Sequence, residues 1–361
     1  MNRRAVLSSA TAVTLAAGFN AVRTGAAAAD EAASPAWRRF EVTTRVTLLD
    51  APGAAQLWLP LAQTAGGYQA GLEPGWETNG TAGVTSDRKY GANILKVDWD
   101  GAAVPGAAKQ AAVTQIIATR NRKGGERVLP VTEAERRFWM QPTESAPVDG
   151  IVAATAQRIT AGHTEPRARL RAIYDWVVLN TSRNPETPGC GLGDVQSMLE
   201  SGNLSGKCAD INGLMTALAR AAGFPARDVY GIRVAPSTRF RSLGAASPIT
   251  RAQHCRSEVY LPDEGWFPLD PADVRKVVLE HNLPAESAEI RALSDYLFGG
   301  WDMNWIGYNS ATDIELPRAM GSQKPNFAFL MYPCAFTSAG QPDCLDPARF
   351  QYEITAREIT A

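Results

Sequence analysis

GKCADINGLMTALARAAGFPAR, residues 206–227, sets a cysteine at the mouth of a helix. Ile211, Leu214, Met215, Leu218 and Ala222 recur at offsets of 3, 4, 7 and 11, the period of a helix with one buried stripe. The flexible run Ser201-Gly202-Asn203-Leu204-Ser205-Gly206 comes before it, so Cys208 falls in or just before the first turn. There the unpaired backbone N–H groups and the positive end of the helix dipole favour a thiolate over a thiol. Gly223 and Pro225 end the helix, as Gly past the last periodic residue and Pro soon after it do. A lone helical cysteine is more often a small buried hydrophobe, so the weight placed on Cys208 depends on what else the chain can bring to it.

The stretch HCRSEVYLPDEGWFPLDPAD, residues 254–273, supplies partners. Cys255, Ser257, Val259 and Leu261 alternate with His254, Arg256, Glu258 and Tyr260, which predicts a strand. A turn from Pro262 to Gly265 leads into a second strand, Trp266 to Asp270. Two antiparallel neighbours would set His254 beside Asp270, whose carboxylate could accept the second ring N–H and fix the tautomer. The chain has only 3 histidines, so the choice of base is narrow. Asp-Pro is also a common turn opener, which leaves Asp263 and Asp273 as alternatives to Asp270. Lys207 and Asp210 read as first-turn residues rather than catalysts. Glu258, on the face of His254, is either a support for the site or a solvated strand residue.

At these residues the chain resembles the transglutaminase-like superfamily of cysteine acyl-transfer enzymes, specifically its exported bacterial members. The resemblance is carried by Gly206-Lys207-Cys208, the turn Gly223-Phe224-Pro225-Ala226-Arg227, the strand from His254 through Glu258-Val259-Tyr260, and Gly265-Trp266-Phe267-Pro268-Leu269-Asp270-Pro271. It runs from about Pro166 to Pro271 and more loosely over the rest. It implies Cys208 as nucleophile, His254 as base and Asp270 as acid, with no cofactor and no metal. It also implies an α+β fold, in which a papain-like core packs the nucleophile helix on an antiparallel sheet behind a β-sandwich-like N-terminal domain. The expected activity is cleavage of amide bonds in a protein or peptide substrate through a thioester, with the cell envelope as one source of that substrate. Exported bacterial members point to hydrolysis; cross-linking of Gln to amines and a non-catalytic envelope scaffold are the alternatives. Ser257 stands where relatives often carry an aromatic residue, and Ala272 where they often carry Thr.

Arg3 and Arg4, an apolar stretch of some fifteen residues, Arg23 and the small residues Gly25 to Ala29 predict a twin-arginine export signal over residues 1–29. That stretch is too short for a comfortable membrane span. Without those three arginines, 33 basic residues face 37 acidic ones, a mild acidity that argues against nucleic acid or anionic lipid as a partner. Composition does not decide the oligomeric state. The cysteines are Cys190, Cys208, Cys255, Cys334 and Cys344, an odd number in an exported chain. With Cys208 free, parity predicts two bridges, Cys334 with Cys344 and Cys190 with Cys255. Alternation on the strand turns Cys255 away from the side of His254. A zinc site from Cys190, Cys208, His254 and Cys255 lacks the short Cys-x-x-Cys spacing.

Alternating runs such as Phe40-Val42-Val46-Leu48 and Leu95-Val97-Trp99 predict a β-rich domain over 37–130. Pro142 and Pro147 mark a linker over 131–149, and residues 150–361 form the catalytic domain with a C-terminal β extension. Within it, helices are expected near 150–160, 166–179, 194–200 and 288–298, and a closing strand at Phe350, Tyr352 and Ile354. Trp301, Trp305 and Tyr308 read as core filler before they read as a groove for a peptide or glycan.

Overall fold

The computed structural model describes residues 37–360 apart from 50, 102–107, 127 and 318–327. The export signal expected at 1–29 lies outside the described residues. Alternating apolar positions build the first part of the chain into β1 (Arg38–Leu48), β2 (Ala54–Pro60), β3 (Gln69–Gly71), β4 (Gly75–Thr78), β5 (Thr81–Ser86), β6 (Asn93–Asp100), β7 (Lys109–Thr119) and β8 (Arg122–Lys123). The helical period then yields α1 (Glu133–Met140), α2 (Gly150–Thr160) and α3 (Pro166–Asn180). β9 (Ser182–Arg183) and β10 (Ser205–Gly206) form a short parallel pair around α4 (Val195–Ser201). Next come α5 (Cys208–Ala221), β11 (Ala226–Arg233), β12 (Gln253–Leu261), β13 (Gly265–Leu269), α6 (Pro271–Glu280) and α7 (Ala288–Leu297). The chain closes with β14 (Gly300–Trp301), β15 (Trp305–Asn309), β16 (Cys334–Thr337), α8 (Pro347–Phe350) and β17 (Tyr352–Glu358).

The fold is α+β. One antiparallel sheet runs β17-β1-β7-β3 with β4 also on β7, and a second runs β16-β2-β6-β5. Phe40, Val42, Val113 and Ile117 of the first pack in one core with Leu57, Leu59, Leu95 and Val97 of the second, the interdigitation of a β-sandwich. The C-terminal residues, read from sequence as an extension of the catalytic half, instead give a strand to each sandwich sheet: β16 pairs with β2 and β17 with β1. Burial of Phe350, Tyr352 and Ile354 in the main core accounts for the return.

A third antiparallel sheet, β13-β12-β11-β15, carries α5 on one face. α5 is not a one-stripe helix, since every residue from Cys208 to Arg220 is buried, with α2, α3, α4 and α6 packed around it. A helix buried all round must satisfy its polar side chains internally, and each of these finds a partner. Asn212 Nδ2 donates to Cys255 O at 2.7 Å, Thr216 Oγ1 to Asp228 at 2.9 Å, and Arg220 Nε to Ala226 O at 2.8 Å. Ser257 donates to Asn212 O at 3.0 Å in the same dry layer. Gly223, at φ +91°, closes the helix, and Phe224 N reaches back to Ala219 O at 3.0 Å.

Two further elements stand where none was expected. The stretch taken as a linker holds α1, whose Thr132 and Glu135 form a reciprocal capping box. α6 begins at once after Asp270, which is its N-cap, with Pro271 in the first turn. Trp301, Trp305 and Tyr308 are buried. No helix among the described residues is long and apolar enough to cross a membrane.

Glu258 is neither solvated nor part of the reacting centre. Its carboxylate, 2% exposed, lies between Arg122 of β8 and Arg227 of β11, the latter at 2.6 Å. Removing one partner of a buried ion pair leaves uncompensated charge. Glu258→Ala is therefore expected to cost about 3–5 kcal/mol, measured as a lower urea midpoint with an unchanged slope.

Candidate active site

The start of α5 is held by the loop before it. Asp210 accepts from the N–H groups of Leu192 at 3.0 Å, Gly193 at 2.9 Å and Lys207 at 2.9 Å, so it clamps the 189–193 loop onto the first turn. The clamp is tight enough to exclude side chains. A Cβ on Gly191, at φ +95°, would fall 1.9 Å from Asp210 Oδ2, and one on Gly206 would fall 2.4 Å from it. Asp210 is thus a first-turn structural residue, as its sequence position suggests. The loop brings Cys190 to the helix start, where Ala209 N donates to Cys190 O at 2.8 Å. The Cys208 N–H has no hydrogen-bond partner among the described residues.

The structure brings Cys208 against His254 and His254 against Asp270, all three buried. His254 Nε2 lies 2.7 Å from Asp270 Oδ2 and hydrogen-bonds to it, which leaves Nδ1 for the side of the sulfur. Trp305 Nε1 donates to His254 O at 2.9 Å and fixes the backbone that carries the ring. Of the alternative acids, Asp263 is exposed on the β12–β13 turn, whereas Asp273 Oδ1 approaches His254 Nε2 to 3.4 Å. Asp273 is committed to Arg233 at 2.5 Å.

Three residues hold Asp270, and two of them, Asn212 and Arg256, are not singled out from sequence. Asn212 Nδ2 donates to its Oδ1 at 3.2 Å, and Asp273 N does so at 3.1 Å. Arg256 Nε stands 3.3 Å from Oδ2, its guanidinium packed over the Trp301 and Trp305 rings. Asp270-Pro271-Ala272-Asp273 carries the signal for the cap. Nothing local in the sequence marks Asn212 or Arg256, because both act across more than 10 residues of chain.

The electrostatics favour an ion pair. The Cys190 and Cys255 thiols and the His254 ring hold the Cys208 sulfur well below the usual thiol range, against the cost of burial. The same contacts, with burial, push Cys190 and Cys255 well up. Burial and Arg233 press His254 down, but Asp270 and Asp273 outweigh them and its pKa ends above the ordinary imidazole value. Burial and Asp273 raise Asp270 despite His254 and Arg256. For Asp273, burial is overcome by Arg233, and the carboxyl ends well below the usual range.

The two bridges expected from parity are absent, since all five cysteines are free. The Cys255 thiol and the His254 ring both reach the Cys208 sulfur, and Cys190 reaches it as well, so Cys190 and Cys255 meet the nucleophile instead of each other. Cys334 lies in a separate cluster with Trp58 and Phe336, while Cys344 belongs to the main core.

One oxygen or nitrogen each of His254, Asp270 and Asp273 lie within 4.8 Å of one another, close enough to ligate an ion. Arg233 and Arg256 already lie against the two carboxylates, supplying the positive charge a metal would bring. A cavity of about 500 Å³ opens beside Cys208 and His254, both of which line it.

Residues 153–271 match the family described as the transglutaminase-like superfamily. Over 328 residues the chain is 34% identical to an uncharacterized protein of Haemophilus influenzae, covering 85% of this chain and 87% of the relative. The crystal structure of a candidate cysteine protease from Cytophaga hutchinsonii aligns over 90% of this chain and 92% of its own, with a TM-score of 0.55 at 14% identity, a likeness of fold. The periplasmic domain of TgpA from Pseudomonas aeruginosa aligns over 68% of this chain and 98% of its own, with a TM-score of 0.35 at 15% identity.

Proposed function

The chain belongs to the transglutaminase-like superfamily, and from that premise we propose that it is a cysteine-dependent peptidase or amidase working through a Cys208-His254-Asp270 triad. The observation that carries this reading is the buried 2.7 Å His254–Asp270 bond beside a sulfur at a helix start, whose pKa its thiol and imidazole neighbours lower. Cys208 attacks the amide carbonyl, and the oxygen that gains charge meets the unpartnered N–H of Cys208. The C–N bond breaks as His254 gives its proton to the leaving amine, which leaves a thioester on Cys208. Neutral His254 then takes a proton from water. The resulting hydroxide equivalent cleaves the thioester, the carboxylic acid departs, and the thiolate–imidazolium pair is restored. Asp270 keeps the ring oriented and stabilises its charged form throughout.

Water as the acyl acceptor is supported by the fold shared with the Cytophaga protein, which is named as a candidate cysteine protease. An amine in its place would cross-link Gln to amines. Incubating the protein with casein and a tagged primary amine separates the two outcomes. Shorter products without tag are expected, whereas tag incorporation that depends on Cys208 would overturn the hydrolytic reading. The export signal expected from Arg3, Arg4 and the apolar stretch after them supports an activity outside the cytoplasm, in keeping with a cell-envelope substrate.

A further inference from the structure

We propose that the cavity beside Cys208 is built to receive a carboxylate of the substrate. Arg183, Lys207, Arg251 and Lys276 line it along with the Arg233 that pairs with Asp273, and among the described residues no Asp or Glu does. Arg183 and Lys276 share one partner, Glu280, at 3.3 and 3.9 Å, and that carboxylate is 40% exposed and outside the lining. Lys207 and Arg251 have no carboxylate within 4.0 Å among the described residues.

This charge is local, since the whole chain is net −1. The next cavity, about 590 Å³ and separated by Gly189, Cys190, Tyr332 and Leu345, has the opposite character: Glu186, Asp194, Asp210 and Asp343 line it, with no Lys or Arg among the described residues. The lowered pKa of the Cys208 sulfur rests chiefly on the two neighbouring thiols and His254. Cations converging on a concavity repel one another until an anion completes them. Arg and Lys give a carboxylate charge-assisted hydrogen bonds and draw it in from solution. Lys207 adjoins Cys208 in the chain and Arg251 stands at the exposed rim, so the anion lies close to the bond that is cut. A carboxylate can come from an acidic side chain or from the free C-terminus of a peptide, and both have the chemistry the cavity selects.

The inference rests on the amide-cleaving reading, so its test has an arm that needs no turnover. Four peptides share one neutral core: a Glu-bearing amidated peptide, a neutral peptide with a free C-terminus, a neutral amidated peptide and a Lys-bearing amidated peptide. The full chain should favour at least one carboxylate peptide over the neutral amidated one by roughly tenfold or more in kcat/KM. That preference should weaken as salt rises. Arg251→Glu and Lys207→Gln should each shrink it, and Arg251→Glu should shift the ratio towards the Lys-bearing peptide. Whichever carboxylate peptide carries the preference names the source. Equal rates on all four, or a preference untouched by both substitutions, would overturn the proposal. The same peptides, dye-labelled, are titrated into Cys208→Ala and followed by anisotropy. Charge-dependent binding there without turnover by the wild type would keep the carboxylate site and sink the hydrolase, while charge-blind binding would sink the site.

Discussion

Cys208→Ala is expected to reduce peptide turnover on the order of 10⁴-fold or more, the loss seen when the nucleophile of a linked set is removed. The loss should fall on kcat, because the cavity that binds substrate is unchanged and only the bond-forming atom is gone. The substitution should also leave the fold intact. Ala fills most of the volume of Cys at the first turn of α5, and the Asp210 clamp on the 189–193 loop does not involve the sulfur. Circular dichroism and a urea midpoint near that of the wild type, beside a dead enzyme, are the paired readout. A variant that keeps a tenth of the wild-type rate would mean that Cys208 is not the nucleophile.

Asp270→Asn should lower kcat/KM by about 10³ to 10⁴, as when a triad carboxylate becomes a neutral amide of the same shape. The Asn oxygen can still accept from Asn212 and Asp273 N, so α6 keeps its cap. What is lost is the charge that outweighs burial and Arg233 at His254. The pH profile gives the sign. The active pair needs Cys208 as thiolate, hence a pH above its depressed pKa, and His254 as imidazolium, hence a pH below its raised one. Removing the Asp270 charge lowers the upper limit, so the alkaline limb of kcat/KM should move to lower pH. Asp273, 3.4 Å from the ring, still contributes. The effect should therefore stay smaller than that of Cys208→Ala. An alkaline limb that stays in place would show that Asp270 does not set the charge of His254.

Local signals made the reacting residues legible. The apolar period of α5, the alternation of β12 and the turn before β13 are each readable within about ten residues, and together they put Cys208, His254 and Asp270 within reach. What supports them was less legible, because it depends on distant partners. Asn212 reads as an indifferent helix residue until β12 supplies Cys255 O and the strand end supplies Asp270. Arg256 reads as a surface cation until Trp301 and Trp305 close over it. The start of α6 is ambiguous in the sequence, because Asp270-Pro271-Ala272-Asp273 is a helix start signal while the same Asp-Pro dipeptide also reads as a turn. The cysteine pairing failed for a different reason. Parity counts thiols but says nothing of where they meet, and Cys190 and Cys255 are drawn to the helix start that holds the nucleophile.

The central claim is that Cys208 is a thiolate poised by its surroundings. Its rate of alkylation by iodoacetamide as a function of pH, with the labelled residue identified by mass spectrometry, tests this most directly. The midpoint should lie well below the value of about 8.5 for an unperturbed thiol, and it should rise in His254→Ala. A midpoint in the ordinary thiol range that does not move when His254 is removed would contradict it.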